Sequence, residues 1–144
     1  MTVVDASLAT KLLIEEPDSD LAHDWFRAER GAIIAPDLIA IEVAQAVVRR
    51  VNERLAPAEF GRAAMRGWTE LLSGRAIEPV RMGPENVERA SAIAMHLGHP
   101  VKDCLYLALA IDRRCRLITC DRKFVERAHA IYPDIALLAD VTRA

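Results

Sequence analysis

The chain has 144 residues, 52% of them hydrophobic and 28% charged, with a net charge of −2. That length suits one domain with a sizeable core, and the apolar share excludes a disordered chain. The slight acidic balance excludes a protein that holds nucleic acid by an overall basic field, so any such contact has to be local.

In chain order, residues 2–4 (TVV) are short and β-branched and read as a strand start, and SLATKLLIEE at 7–16 reads as a helix closed by Pro17. SDLAHDWFRAER at 19–30 is a serine-capped helix with Leu21, Ala22, Trp25 and Phe26 at helical spacing. GAIIAP at 31–36 is a short strand, after which Asp37 caps a long apolar helix to about Leu55. Pro57 opens a further helix, roughly 58–73; residues 76–82 form a strand that Pro79 assigns to an edge or a bend. A helix over 84–98 starts on Pro84 and ends on Gly98. The apolar run 101–115 leads to a strand at 116–121, a helix at 122–133 and a last strand at 135–140. Strands alternating with one or two helices predict a single domain, residues 1–144, built as a three-layer α/β/α sandwich around a central, mostly parallel sheet.

Cys104, Cys115 and Cys120 are odd in number and lack metal-binding spacing, and no leader-like stretch precedes the first strand. This reads as a cytoplasmic chain with reduced thiols. No apolar run approaches the length of a bilayer span.

Four carboxylates stand where apolar residues are expected. Asp5 and Asp121 each follow a strand, Asp103 opens the run VKDCLYLALAI, and Glu42 interrupts DLIAIEVAQAVV. In an open parallel sheet, residues just past the strand ends line the ligand crevice. Four acids converging there cannot all ionise cheaply, and a divalent cation removes the penalty. Hard oxygen donors select Mg²⁺ or Mn²⁺, which activate water and clamp phosphodiesters. Taken singly, each acid has a plainer use: Asp5 and Asp121 as helix caps, Asp103 at a helix dipole, Glu42 paired with an arginine.

The order VVDASLATKLL, PDLIAIEVAQAV, VKDCLYLALA and LITCDRKF resembles the PIN domain, and within it the VapC-type toxins of prokaryotic toxin–antitoxin pairs. The resemblance spans nearly the whole chain. It implies an Mg²⁺- or Mn²⁺-dependent endoribonuclease with Asp5, Glu42, Asp103 and Asp121 as the catalytic and metal-binding set, supported by the hydroxyls of Ser7 and Thr119. Asp5 and Asp103 are then the principal ligands, Asp121 completes the cluster and helps place a second ion, and Glu42 orients water or acts as base. Implied partners are an RNA substrate, a cognate VapB-type antitoxin and a second copy in a homodimer. Lys102, beside Asp103, departs from the neutral or aromatic residue usual there and reads as solvent-facing.

Lys11, Arg122 and Lys123 are phosphate candidates by their nearness to Asp5 and Asp121. Trp25, Phe26, Phe60 and Trp68 read as core, or as the wall of a groove for an apolar partner segment. His23, His96, His99 and His129 read as surface or structural. Two alternatives stay open: a phosphoryl-transfer α/β domain, which Asp5-Ala6-Ser7 fits poorly because Asp-x-Asp or an acidic pair is wanted there, and a catalytically silent interaction module.

Overall fold

The computed structural model describes residues 1–142. The elements run β1 (Thr2–Val4), α1 (Ala6–Lys11), α2 (Ser19–Ala28), β2 (Ile33–Pro36), α3 (Ile39–Asn52), α4 (Ala58–Ser73) and β3 (Glu78–Val80). They continue as α5 (Pro84–Leu97), α6 (Val101–Arg113), β4 (Arg116–Thr119), α7 (Arg122–Ala128), β5 (Ile135–Leu137) and α8 (Leu138–Val141). The strands form one sheet in the order β3-β2-β1-β4-β5, and every pairing is parallel. Central Val3 pairs with Ile34 on one side and Leu117 on the other. The expected α/β/α architecture is the one found, with Pro79 on the edge strand β3, where a missing N–H is tolerated.

The strand order reverses about β1. The chain winds outward through β2 and β3, then crosses back to place β4 on the other side of β1. The crevice between the carboxyl ends of β1 and β4 is therefore the switch point, where such sheets bind ligands. Asp5 follows the end of β1, and Thr119 and Asp121 lie at and just past the end of β4. Only Arg114 and Cys115 separate α6 from β4, so α6 runs back along the sheet and begins at the strands' carboxyl ends. Cys104 and Tyr106 to Ala110 are buried against the sheet, which holds that helix firmly.

On α3, Ile39 and Val43 are fully buried, and the Trp68 indole N–H of α4 donates to the Ala40 carbonyl at 3.2 Å. α4 comes close because Gly61 has no side chain: a Cβ there would meet Val51 Cγ2 at 2.7 Å. This packing fixes the turn that carries Glu42.

Several expected boundaries move. The helix expected to reach Glu16 stops at Lys11, because Ser19 Oγ accepts from the Glu16 N–H and donates to the Ile14 carbonyl, while Lys11 Nζ donates to the Pro17 carbonyl. Asp37 does not cap α3; its carboxylate accepts from the Met82 N–H at 3.3 Å, and the helix starts at Ile39. Glu42 thus lies in the first turn of α3. α7 ends at Ala128, and β5 ends at Leu137, where α8 begins.

Candidate functional site

A cleft of about 450 Å³ opens at the switch point. Asp5, Glu42, Asp103 and Asp121 all line it, together with Ser7, Lys11, Arg49, Lys102 and Tyr106. The four carboxylates arrive from different parts of the fold, after β1, on α3, on α6 and after β4, which is why no spacing in the sequence joins them.

Asp5 is the most buried of the four. Ser7 Oγ donates to its Oδ1 at 2.6 Å, the Leu8 N–H donates to the same oxygen at 3.1 Å, and the Thr119 hydroxyl donates to Oδ2. Both hydroxyls also accept: Ser7 from the Cys120 N–H and Thr119 from the Asp121 N–H. The two hydroxyls expected to support the site therefore tie the end of β1 to the loop after β4. Burial nevertheless pushes the Asp5 carboxyl up to about 6, against the pull of these hydrogen bonds.

Asp121 is the N-cap of α7, accepting from the Phe124 N–H at 3.0 Å, and still presents its second oxygen to the cleft. Asp5 likewise caps α1. Capping and lining the cleft are compatible here because a carboxylate has two oxygens. Burial raises the Asp103 carboxyl as well, with Glu42 and Asp121 adding to the rise and Lys102 and His99 opposing it.

Glu42 is held by two donors. The Tyr106 hydroxyl donates to Oε2 at 2.5 Å and Lys102 Nζ to Oε1 at 3.1 Å. Lys102 is thus not simply solvent-facing: its stem is exposed, but its ammonium turns onto Glu42, and that bond raises the Lys102 pKa. The partner of Glu42 is a lysine, where an arginine was the plainer expectation. Of the expected phosphate contacts, Lys11 lines the cleft, whereas Arg122 and Lys123 do not; Arg49 takes a place there instead.

His99, which the sequence reads as surface or structural, has a buried side chain beside the site. Its ring lies between Asp103 and Asp121, 3.1 Å and 3.8 Å from their Oδ2 atoms. The signal was a histidine four residues before an acid, His99 and Asp103, but the pair straddles a helix–helix junction, so it reads as neither a helical pair nor a metal motif. Cys120 also borders the cleft, but burial pushes its thiol up to about 12, so it offers no nucleophile near neutral pH.

The model of the PIN domain family matches residues 2–130. The chain belongs to the PIN domain family. Among curated relatives, Ribonuclease VapC12 of Mycobacterium tuberculosis, in strains CDC 1551 / Oshkosh and H37Rv, is 29% identical over 139 residues, covering 96% of this chain and 100% of the relative. Among solved structures, Mycobacterium tuberculosis VapC20, a sarcin-ricin-loop-cleaving toxin, aligns with a TM-score of 0.72 at 12% identity, covering 88% of this chain and 94% of that one. A toxin–antitoxin complex from Klebsiella pneumoniae aligns with a TM-score of 0.67 at 16% identity, covering 96% and 98%. The structural likeness establishes a common PIN fold. Among the described residues, no helix is long and apolar enough to cross a membrane.

Proposed function

We propose that this PIN domain protein is an Mg²⁺- or Mn²⁺-dependent endoribonuclease. It acts as the cytoplasmic toxin of a VapBC-type pair, with a VapB-type antitoxin as partner and a homodimer as its working form. The observation that carries the reading is one cleft at the switch point gathering four carboxylates, two of them pushed toward protonation by burial, with cationic side chains beside them. The curated relative named as a ribonuclease, similar over its whole length, supports the reaction class.

The residues present suit a hard dication. Their donors are carboxylate oxygens, and burial, the chief cause of the raised Asp5 and Asp103 carboxyls, disfavours their charged forms in a way that a bound cation would offset. Asp5, Asp103 and Asp121 would hold the ion, with Glu42 beside it. When bound, such an ion supplies Lewis-acid activation of water and charge neutralisation on the phosphodiester. The chain's own residues do the rest. Ser7 and Thr119 fix both Asp5 oxygens in place. Tyr106 holds the Glu42 carboxylate, which would orient the attacking water or take a proton from it. Lys11, Arg49 and Lys102 line the cleft where RNA phosphates would approach. Since the aromatic content is 5%, a base-stacking platform is not the source of sequence choice.

A groove of about 750 Å³ between α3 and α4, lined by Val47, Val48, Val51 and Met65, supports an apolar partner segment on that face. Incubating the purified chain with structured RNA, with and without Mg²⁺ or Mn²⁺, tests the reading. Cleavage that EDTA abolishes supports it; binding without cleavage under every metal condition points instead to an interaction module.

A further inference from the structure

The junction of α5 and α6 is built to aim one imidazole. Gly98 ends α5 in the left-handed conformation, φ 59°, and Pro100 starts α6. His99 lies between them, its N–H donating to the Ala94 carbonyl at 3.1 Å. Arg127 donates to the Gly98 carbonyl and fastens the turn from the α7 side. The ring stacks on Phe124, with centroids 4.4 Å apart and planes within 6°. The His99 side chain is only 6% exposed, yet among the described residues its Nε2 is a buried nitrogen with no hydrogen-bond partner. That nitrogen faces the carboxylates of Asp103 and Asp121, and donor atoms of the three residues all lie within 4.8 Å of one another. A leucine would fill this slot without bringing a nitrogen to 3.1 Å from a carboxylate, so packing alone does not account for the choice.

We propose that His99, Asp103 and Asp121 form a mixed nitrogen–oxygen subsite for a borderline first-row transition-metal dication, of the Co²⁺ and Zn²⁺ kind, at the more exposed end of the cleft. The donor separations of 3.1 and 3.8 Å suit one ion, since bonds of about 2.0–2.2 Å place neighbouring ligands about 3–4 Å apart. Imidazole favours these borderline ions, whereas Mg²⁺ favours oxygen alone. Three protein donors leave coordination positions open to solvent or to a phosphate oxygen. The oxygen-only end near Asp5 keeps the Mg²⁺ role, and the two ends share Asp103. Binding of the ion stands apart from RNA cleavage; only its use in cleavage rests on the nuclease reading above.

The test uses the metal-stripped full chain without RNA. Co²⁺ and Mg²⁺ are titrated separately, following the Co²⁺ visible spectrum and calorimetric heats, for the wild type, His99→Leu and His99→Phe. The phenylalanine keeps the stack on Phe124, and thermal unfolding without metal reports whether each variant is folded. The expected result is a loss of about tenfold or more in Co²⁺ affinity in both variants, with Mg²⁺ affinity within about threefold of wild type. Equal losses for both ions, or no loss of Co²⁺ affinity, overturns the proposal. A second measurement needs no variant: in wild type at saturating Co²⁺, the ring signals of His99 shift or broaden while those of His23, His96 and His129 persist. An unchanged His99 signal overturns the proposal. Wild-type chain that binds Co²⁺ through His99 but cuts no RNA contradicts the nuclease reading alone. Chain that cuts RNA with Mg²⁺ while the His99 variants bind Co²⁺ normally contradicts this proposal alone.

Discussion

Replacing Asp5 with asparagine should make the metal-free protein more stable at neutral pH. Asp5 is raised from 3.8 to about 6, chiefly by burial. A carboxyl raised on folding contributes its full stability below pH 3.8 and loses it as pH climbs through about 6. At about 1.4 kcal/mol per pH unit, the loss amounts to about 3 kcal/mol. Asparagine is nearly isosteric and does not ionise. It forfeits one of the hydroxyl-donated bonds from Ser7 or Thr119, a pH-independent cost of about 1 kcal/mol. The stability difference, Asp5→Asn minus wild type, should therefore swing by about 3 kcal/mol in the variant's favour between pH 3 and pH 8. For a chain of this size that is a swing of about 6–12 °C in the relative Tm. The assay is urea or thermal unfolding in EDTA at each pH, repeated in saturating Mg²⁺. Bound cation should stabilise wild type more than the variant and shrink the gap at pH 8. A difference that is flat with pH, or that turns against the variant at high pH, would refute the reading that burial raises the Asp5 carboxyl.

Tyr106→Phe removes the hydroxyl that donates to Glu42; unfolding should show a loss of about 1–2 kcal/mol, and single-turnover cleavage should slow by about tenfold. Lys102→Met frees Glu42 Oε1 of an ammonium that competes with any metal cation. The Mg²⁺ concentration giving half-maximal cleavage should fall severalfold, less at high salt because the lysine is exposed. Gly61→Ala drives a methyl into Val51 and should cost about 1–3 kcal/mol in urea unfolding, loosening α4 on α3.

Much of this molecule was legible because period and punctuation agreed. Alternating β-branched strands and capped helices predicted the sheet, and carboxylates in apolar surroundings marked the cleft before any geometry was known. Boundaries failed where side chains override periodicity. Ser19 and Lys11 hold a turn where the pattern of leucines continued a helix, and Asp37 serves β3's exit rather than α3's start. The cleft's finer chemistry was hidden because it is made between elements. Nothing local tells that Lys102 reaches a carboxylate 60 positions away. His99 reads as surface or structural from sequence because the two carboxylates it faces come from two different helices, and its placement rests on a turn set by Gly98 and Pro100. Arg122 and Lys123 sit near Asp121 in sequence yet do not line the cleft, whereas Arg49, one turn beyond Gln45 on α3, does.

If these carboxylates cleave RNA through a bound dication, the decisive experiment is cleavage of a structured RNA by purified wild type and Asp103→Asn, each with EDTA, Mg²⁺ or Mn²⁺. Wild type should cut only with metal, and the folded variant should lose about a hundredfold or more. Cutting that persists in EDTA, or a folded Asp103→Asn variant as active as wild type, would contradict that mechanism.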